Sequence, residues 1–263
     1  MVSVLSAPAC TSVFGDEIVA NLQAQDIDTQ HVYRSAAAPT GVAPIWVEAD
    51  GTNRIAVIPG ANSHMGPDRV AQAVARKRCQ VVVGQLEVPQ AVTKAAFAAA
   101  RPLGASTVLN PAPAADIDPE LLALADWLIP NETEFAALVS SLEGTAGDAI
   151  TGDAITDDAI VRLAGRIPAR LLVTLGKAGA AMVVSNGVLR VEAPVSQAVD
   201  TTGAGDAFVG AFAYGLASGF APADAMGLAV RCASFTVGRA GAQSSFPTPQ
   251  ESGLLLRGRQ DVH

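Results

Sequence analysis

Residues 198–216 read "AVDTTGAGDAFVGAFAYGL". Two threonines and two glycines stand between two aspartates, and an apolar run follows without a break. Turn residues passing directly into a buried-looking helix predict a helix N-terminus aimed at a ligand. Gly203, Ala204 and Gly205 carry little side-chain bulk, so their backbone N–H groups can approach a bound group closely. The helix adds a partial positive charge of about +0.5 at that end. An anion is the matching partner. Asp206, at the helix start, has two readings: an N-cap that satisfies the first N–H groups, or a general base.

Upstream of this stretch, short apolar runs alternate with helical patterns. "QVVVG" (80–84), "STVLN" (106–110), "DWLIP" (126–130) and "RLLVTLG" (170–176) are rich in branched residues and bounded by turn residues. They read as strands buried on both faces. Amphipathic segments near 67–78, 88–101, 118–125, 131–142 and 157–167 lie between and beside them. That alternation predicts right-handed βαβ units, hence an α/β fold with a mostly parallel central sheet flanked by helices. "TGVAPIWVEADGTNRIAVIPG" (40–60) breaks the pattern with two β-rich runs around "EADGTN" and reads as an antiparallel hairpin. Such a hairpin is either a small β lid or a plain sheet edge. A second hairpin is expected over 179–192 around "SNG", at the edge of the sheet. The tandem repeat "GDAITGDAITDDAI" (147–160) fits a variable loop running into a helix and is assigned no function.

Half of the 263 residues are hydrophobic, enough for a large core. Charge is sparse and acidic, with 17 Lys and Arg against 25 Asp and Glu and a net charge of −8. The basic run "RKR" at 76–78 reads as a solvated helix end, and an acidic surface without a basic stripe argues against nucleic acid. Cys10, Cys79 and Cys232 are too scattered for pairing or metal binding and suit a reducing compartment. His31, His64 and His263 form no zinc pattern. "MVSVLSAPAC" has no positive residue and only a short apolar run, so export is disfavoured. The uncharged run Ala207–Ala223 falls short of the ~20 residues of a membrane span and is rich in glycine and alanine. A soluble, cytoplasmic protein is expected.

Two nucleotide motifs fail. A dinucleotide fingerprint needs a third glycine where Phe208 stands, and it lies too near the end of the chain for the βαβ unit that should follow. A P-loop needs Ser or Thr where Ala178 stands in "TLGKAGA", and no glycine lies five residues before Gly176. Neither GxSxG nor HExxH is present. An NAD-dependent oxidoreductase is therefore a weak reading.

"DTTGAGDAF" resembles the C-terminal signature of the ribokinase-like (phosphofructokinase B type) carbohydrate kinases. Further segments match the family in the same order: "TGVAPIWVEADGTNRIAVIPGAN" (40–62), "GQLEVP" (84–89), "LNPAPA" (109–114), "PNETE" (130–134), "VTLGKAG" (173–179) and "GAQSSFP" (241–247). Nearly the whole chain is covered. The resemblance implies ATP-dependent phosphorylation of a sugar's primary hydroxyl, with D-ribose and ATP giving D-ribose 5-phosphate and ADP as the first choice. Asp206 would be the base. Gly203, Ala204 and Gly205 would form the anion hole for charge on the transferred phosphoryl group. Glu134 with Asn131 would organise Mg²⁺ and its waters, and Asn131 could touch the nucleotide. The same four-residue spacing also makes a helix-capping box, and both roles can hold together.

The resemblance further makes Thr174, Leu175, Gly176, Lys177, Ala178 and Gly179 the loop that wraps ATP, with the helix near Val230 as an apolar wall for adenine. An exposed loop lysine is as good a reading of Lys177. A K⁺ site would be held by Asp200, by the carbonyls of Thr202, Thr236, Arg239 and Gly241, and by Ser245. Glu87 and Asp206 would hold the sugar, and the 40–60 hairpin would be part of the lid over it. Homodimerisation through that lid is implied as well.

The family pattern opens with a strand carrying an Asn-x-Asp sugar contact, lid strands and a "GGKGxN" element. None of these is present, and "ACTSVFGDE" stands where the family has "GDD". The expectation is one ribokinase-like kinase domain over 1–263 that lacks the N-terminal part of the pattern, with a partial lid inserted at 40–60. Two alternatives stay open: a catalytically impaired nucleotide-binding remnant, and a kinase for another sugar or a nucleoside.

Overall fold

The computed structural model of the chain describes residues 13–32, 34–36, 38–47, 53–143 and 155–257. Helix α1 (Val13–Ala24) precedes a hairpin of β1 (Ile45–Val47) and β2 (Asn53–Ile55), paired antiparallel with Ile45 opposite Ile55. A bridge between Val42 and Ile58 extends the pair. The expected hairpin over 40–60 is thus present; residues 48–52, between its strands, lie outside the described residues.

The chain then alternates: α2 (Pro67–Lys77), β3 (Val81–Gly84), α3 (Gln90–Ala100), β4 (Ser106–Leu109), α4 (Pro119–Leu124), β5 (Trp127–Leu128), α5 (Glu132–Glu143), α6 (Asp157–Ala164) and β6 (Arg170–Thr174). Local chemistry sets several of these boundaries. Proline occupies the first turn of α2 and α4, where its missing N–H costs nothing. Asp118 caps α4 by accepting from the Glu120 N–H at 2.8 Å, and Thr156 caps α6 by accepting from Ala159 at 3.3 Å. The repeat at 147–160 falls largely outside the described residues, and α6 begins at its end.

Strands β3, β4, β5 and β6 pair in parallel in chain order. β7 (Ala180–Val184) and β8 (Gly187–Val191) continue the sheet as the expected second hairpin at its edge. Helices α7 (Ala204–Ala217), α8 (Pro222–Thr236) and α9 (Pro249–Arg257) complete the described chain. Successive strand residues point to opposite faces. Leu109, Leu128, Leu171 and Val173 therefore pack with Val74, Phe97, Leu121, Phe135 and Ile160 from α2 to α6. Their neighbours Val108, Trp127 and Leu172 pack on the other face with Phe208, Phe212, Met226 and Val230 from α7 and α8. The Trp127 and Phe212 rings meet edge to face at 5.0 Å. The result is the predicted α/β architecture, a mostly parallel sheet between two helical layers. Each such aromatic is worth about 1.5–3 kcal/mol in transfer from water.

One strand departs from the expectation of burial on both faces. β3 ends the sheet among the described residues, and Val83 is 45% exposed while Val82 is buried. A terminal strand lacks a neighbour to shield its outer flank, which a run of valines does not reveal. Cys232 is buried and Cys79 half-buried, both unpaired, in keeping with their reading as small apolar residues; Cys10 lies outside the described residues. Among the described residues, no helix is long and apolar enough to cross a membrane.

Candidate active site

Parallel α/β sheets bind ligands beyond the carboxyl ends of their strands, and the predicted residues gather there. Glu87 follows β3, Asn131 follows β5 and the loop 174–179 ends β6; Gln85 and Asn110, at the ends of β3 and β4, stand beside them. The N-terminus of α7 meets this rim: Gln85 Nε2 donates to Asp206 Oδ1 at 3.1 Å across a separation of 121 positions.

Gly203 is the N-cap of α7 and has φ of +79°, a left-handed conformation that glycine adopts without strain. It makes no side-chain cap, and Asp206 is the third helical residue. The N-cap reading of Asp206 is therefore replaced: its carboxylate turns to Gln85 and stays exposed. Gly205 is exposed beside it. The Ala204 N–H is engaged, donating to the Thr201 carbonyl at 3.2 Å within the turn. Glu87 keeps solvent access, and its carboxyl is pushed above the usual range first by desolvation and then by the charge of Asp206. The two carboxylates thus share one electrostatic neighbourhood.

Asn131 and Glu134 form a reciprocal box. Asn131 Oδ1 accepts from the Glu134 N–H at 2.9 Å, while the Glu134 oxygens accept from the Asn131 N–H at 2.9 Å and from Nδ2 at 3.0 Å. Glu134 is buried, and desolvation pushes its carboxyl up against the opposing pull of the Asn131 N–H. The adjoining loop is held to the same strand end, with the Thr174 N–H donating to the Pro130 carbonyl at 3.0 Å. Gly176, Lys177 and Ala178 form an exposed single turn, closed by Leu175 N–H to the Gly179 carbonyl at 2.8 Å. Val230 sits elsewhere in character: it is 3% exposed and fills the core between α8 and the sheet.

Some of the residues named for a cation are joined by hydrogen bonds. Asp200 Oδ1 accepts from the Thr202 N–H and Oδ2 from the Gly241 N–H, each at 2.9 Å; the Thr202 side chain first, and then these N–H groups, hold its carboxyl below the usual range. The Thr236 carbonyl accepts from Arg239 at 3.1 Å, and Ser245, fully buried, donates to the Ala242 carbonyl at 2.5 Å. Arg239 lies over the Phe235 ring at 4.2 Å and pairs with Glu251 of α9 at 2.5 Å. Arg239 first, and then the Thr248 N–H and hydroxyl, lower the Glu251 carboxyl from 4.5 to about 2. Its stabilisation is therefore complete above pH 4.5, where the unfolded chain also carries the charge, and fades as pH falls toward about 2. A Glu251→Gln variant should show a flatter melting temperature between pH 5 and 2.5 than the parent chain; identical curves would contradict the assignment.

Sequence reasoning missed Gln85 and Asn110 as site residues. Both lie inside the quoted segments "GQLEVP" and "LNPAPA". An amide carries no signal of its own until its distant partner is known.

A rim of strand ends bearing Glu87, facing a glycine-started helix N-terminus that carries Asp206, suits a class of enzymes that move an anionic group onto a small polar acceptor. The model of the pfkB family of carbohydrate kinases matches residues 4–249, and the chain belongs to that family and is a sugar kinase. It is 40% identical over 243 residues to a ribokinase of Staphylococcus aureus, covering 92% of this chain and 78% of the relative. A deoxyribokinase of Salmonella typhi is 35% identical over 242 residues, covering 91% and 76%. The structure of Arabidopsis thaliana ribokinase complexed with ribose and ATP superposes with a TM-score of 0.80 at 27% identity, covering 95% of this chain and 80% of that one.

Proposed function

We propose that the chain, as one kinase domain, transfers the γ-phosphoryl group of ATP to the primary hydroxyl of D-ribose, yielding D-ribose 5-phosphate and ADP. The carrying observation is Asp206, exposed at the third position of α7 immediately after the Gly203 turn and tied to the β3 rim that also bears Glu87. In this reading Asp206 accepts the hydroxyl proton as the sugar oxygen bonds to the γ-phosphorus and the bond to the ADP oxygen breaks. The N-terminus of α7 holds the charge on the transferred group, with the Gly205 N–H as the exposed donor beside the Gly203 turn. Glu87 accepts hydrogen bonds from the other sugar hydroxyls. The loop 174–179 and Asn131, joined at the ends of β5 and β6, wrap the nucleotide.

Glu134, its oxygens already engaged by Asn131, suits a hydrated magnesium ion met through that ion's waters, which would neutralise phosphate charge. The carbonyls of Thr202, Thr236, Arg239 and Gly241 with Ser245 and Asp200 form a donor set suited to K⁺, a cation that would reinforce the anion hole. The exposed Trp46, Val57 and Ile58 on the hairpin support a lid that pairs with a second copy. A cytoplasmic site of action accords with the two unpaired cysteines described.

The deoxyribokinase relative favours 2-deoxy-D-ribose as the second acceptor. The test is ADP release by the purified chain with Mg²⁺ and K⁺, comparing D-ribose, 2-deoxy-D-ribose and a nucleoside. The highest kcat/KM with ribose is expected. A preference for deoxyribose or nucleoside would reassign the acceptor, and ATP binding without turnover on any of the three would leave a nucleotide-binding remnant.

A further inference from the structure

We propose that Gln85, itself oriented by Asn110, is a positioning residue that selects which oxygen of Asp206 receives the proton. The proposal rests on Asp206 being the base.

Asn110 Nδ2 donates to the Ile129 carbonyl at 2.9 Å. A carbonyl can only accept, so this contact directs the Asn110 oxygen the other way. That oxygen stands 3.5 Å from Gln85 Nε2. The Gln85 amide therefore presents its NH₂ group between two acceptors, Asn110 Oδ1 and Asp206 Oδ1 at 3.1 Å. The reversed amide would set oxygen against oxygen at both contacts. The side-chain order is thus determined in one direction, from the Ile129 carbonyl to the Asp206 carboxylate.

The backbone around Gln85 is braced as well. Its carbonyl accepts from Thr93 Oγ1 at 3.2 Å, Leu86 N–H donates to Ala112 at 2.9 Å, and Asn110 N–H donates to Gly84 at 3.0 Å. A Cβ at Gly84 would lie 2.3 Å from Thr93 Cγ2, so α3 packs directly on the residue that sets Gln85. The relay is anchored at the ends of β3, β4 and β5 together.

Two consequences follow for Asp206. Its Oδ1 is occupied by a donor, leaving Oδ2 as the oxygen for the acceptor hydroxyl. An aspartate in an exposed first helical turn otherwise folds back onto the helix's own N–H groups. Those N–H groups are the ones the transferred phosphoryl group needs. By holding Asp206 outward, Gln85 keeps the base and the anion hole from cancelling each other.

The experiment is a double-mutant cycle read by sugar-dependent ADP release, with D-ribose and ATP, in the full chain. Gln85→Leu is expected to lower kcat by ~10–10², the scale of a slightly misplaced reacting group. The KM for ATP should stay within about twofold, since Gln85 does not touch the nucleotide loop. In the Asp206→Ala background the same change should have no further effect, because Gln85 acts through Asp206. Gln85→Met gives a second variant, and melting temperatures show that each is folded. An equal loss from Gln85→Leu with and without Asp206 would overturn the proposal, as would parent-like kcat in both folded variants. Failure of the base reading has a different signature: Asp206→Ala alone would retain turnover.

Discussion

Asp206→Ala lowers sugar-dependent ADP release by about 10²–10⁴, the usual scale for loss of a general base. The side chain is exposed and contributes nothing to either apolar cluster, so the fold should survive the change. The Gly203 turn and the α7 N–H groups remain, and with them the electrostatic hold on phosphate. Nucleotide affinity, measured by calorimetry with ADP, should accordingly change little while kcat collapses. Turnover close to that of the parent chain would remove Asp206 from the chemistry. Loss of ADP binding together with turnover would instead make it a nucleotide contact.

The largest effect on stability is expected at Gly179. Its φ is +89° with ψ of −122°, a conformation open in practice only to glycine. An added Cβ would lie 2.0 Å from the Val191 carbonyl oxygen and 2.8 Å from the Ala193 nitrogen, both backbone atoms that cannot swing aside. Strain and overpacking together put Gly179→Ala at about 2–6 kcal/mol. For a chain of this size that is a fall of roughly 5–20 °C in melting temperature. Gly210→Ala is the control: no neighbouring atom lies within 4 Å of a Cβ there. Removing a glycine from the middle of α7 should raise stability by about 0.5–1 kcal/mol. If Gly179→Ala melts like the parent, the β6–β7 connection is not constrained against the end of β8 as described.

What could be seen in the chain beforehand divides by the range of the interaction. "STVLN" and "RLLVTLG" announce strands because branched apolar runs between turn residues leave few other uses. The Asn131–Glu134 box was legible for the same reason, since partners three residues apart meet on the first turn of any helix. A run of valines cannot tell that Val83 is exposed, because burial depends on what lies beside the strand. "GAGD" leaves Asp206 two readings because it does not say which residue begins the helix; the positive φ of Gly203 decides it. Gln85 and Asn110 stayed invisible because their meaning comes from Asp206 and Ile129, brought near by the sheet. The cation donors rested on resemblance, and backbone carbonyls leave no trace in residue type.

The six-stranded sheet runs β3 to β8 in the order of the chain. Each strand docks beside the one synthesised just before it, so the scaffold can be laid down progressively during translation. The catalytic pairing is of the opposite kind. Gln85 waits for Asp206, 121 residues later, which at about 5–20 residues per second is an interval on the order of ten seconds. The last strand, β8, ends at Val191, shortly before Asp206, and α7 and α8 themselves cover one face of the sheet, so the scaffold and its base are completed almost together. A ribosome stalled in between carries the β3 rim with Gln85 but not the carboxylate it holds.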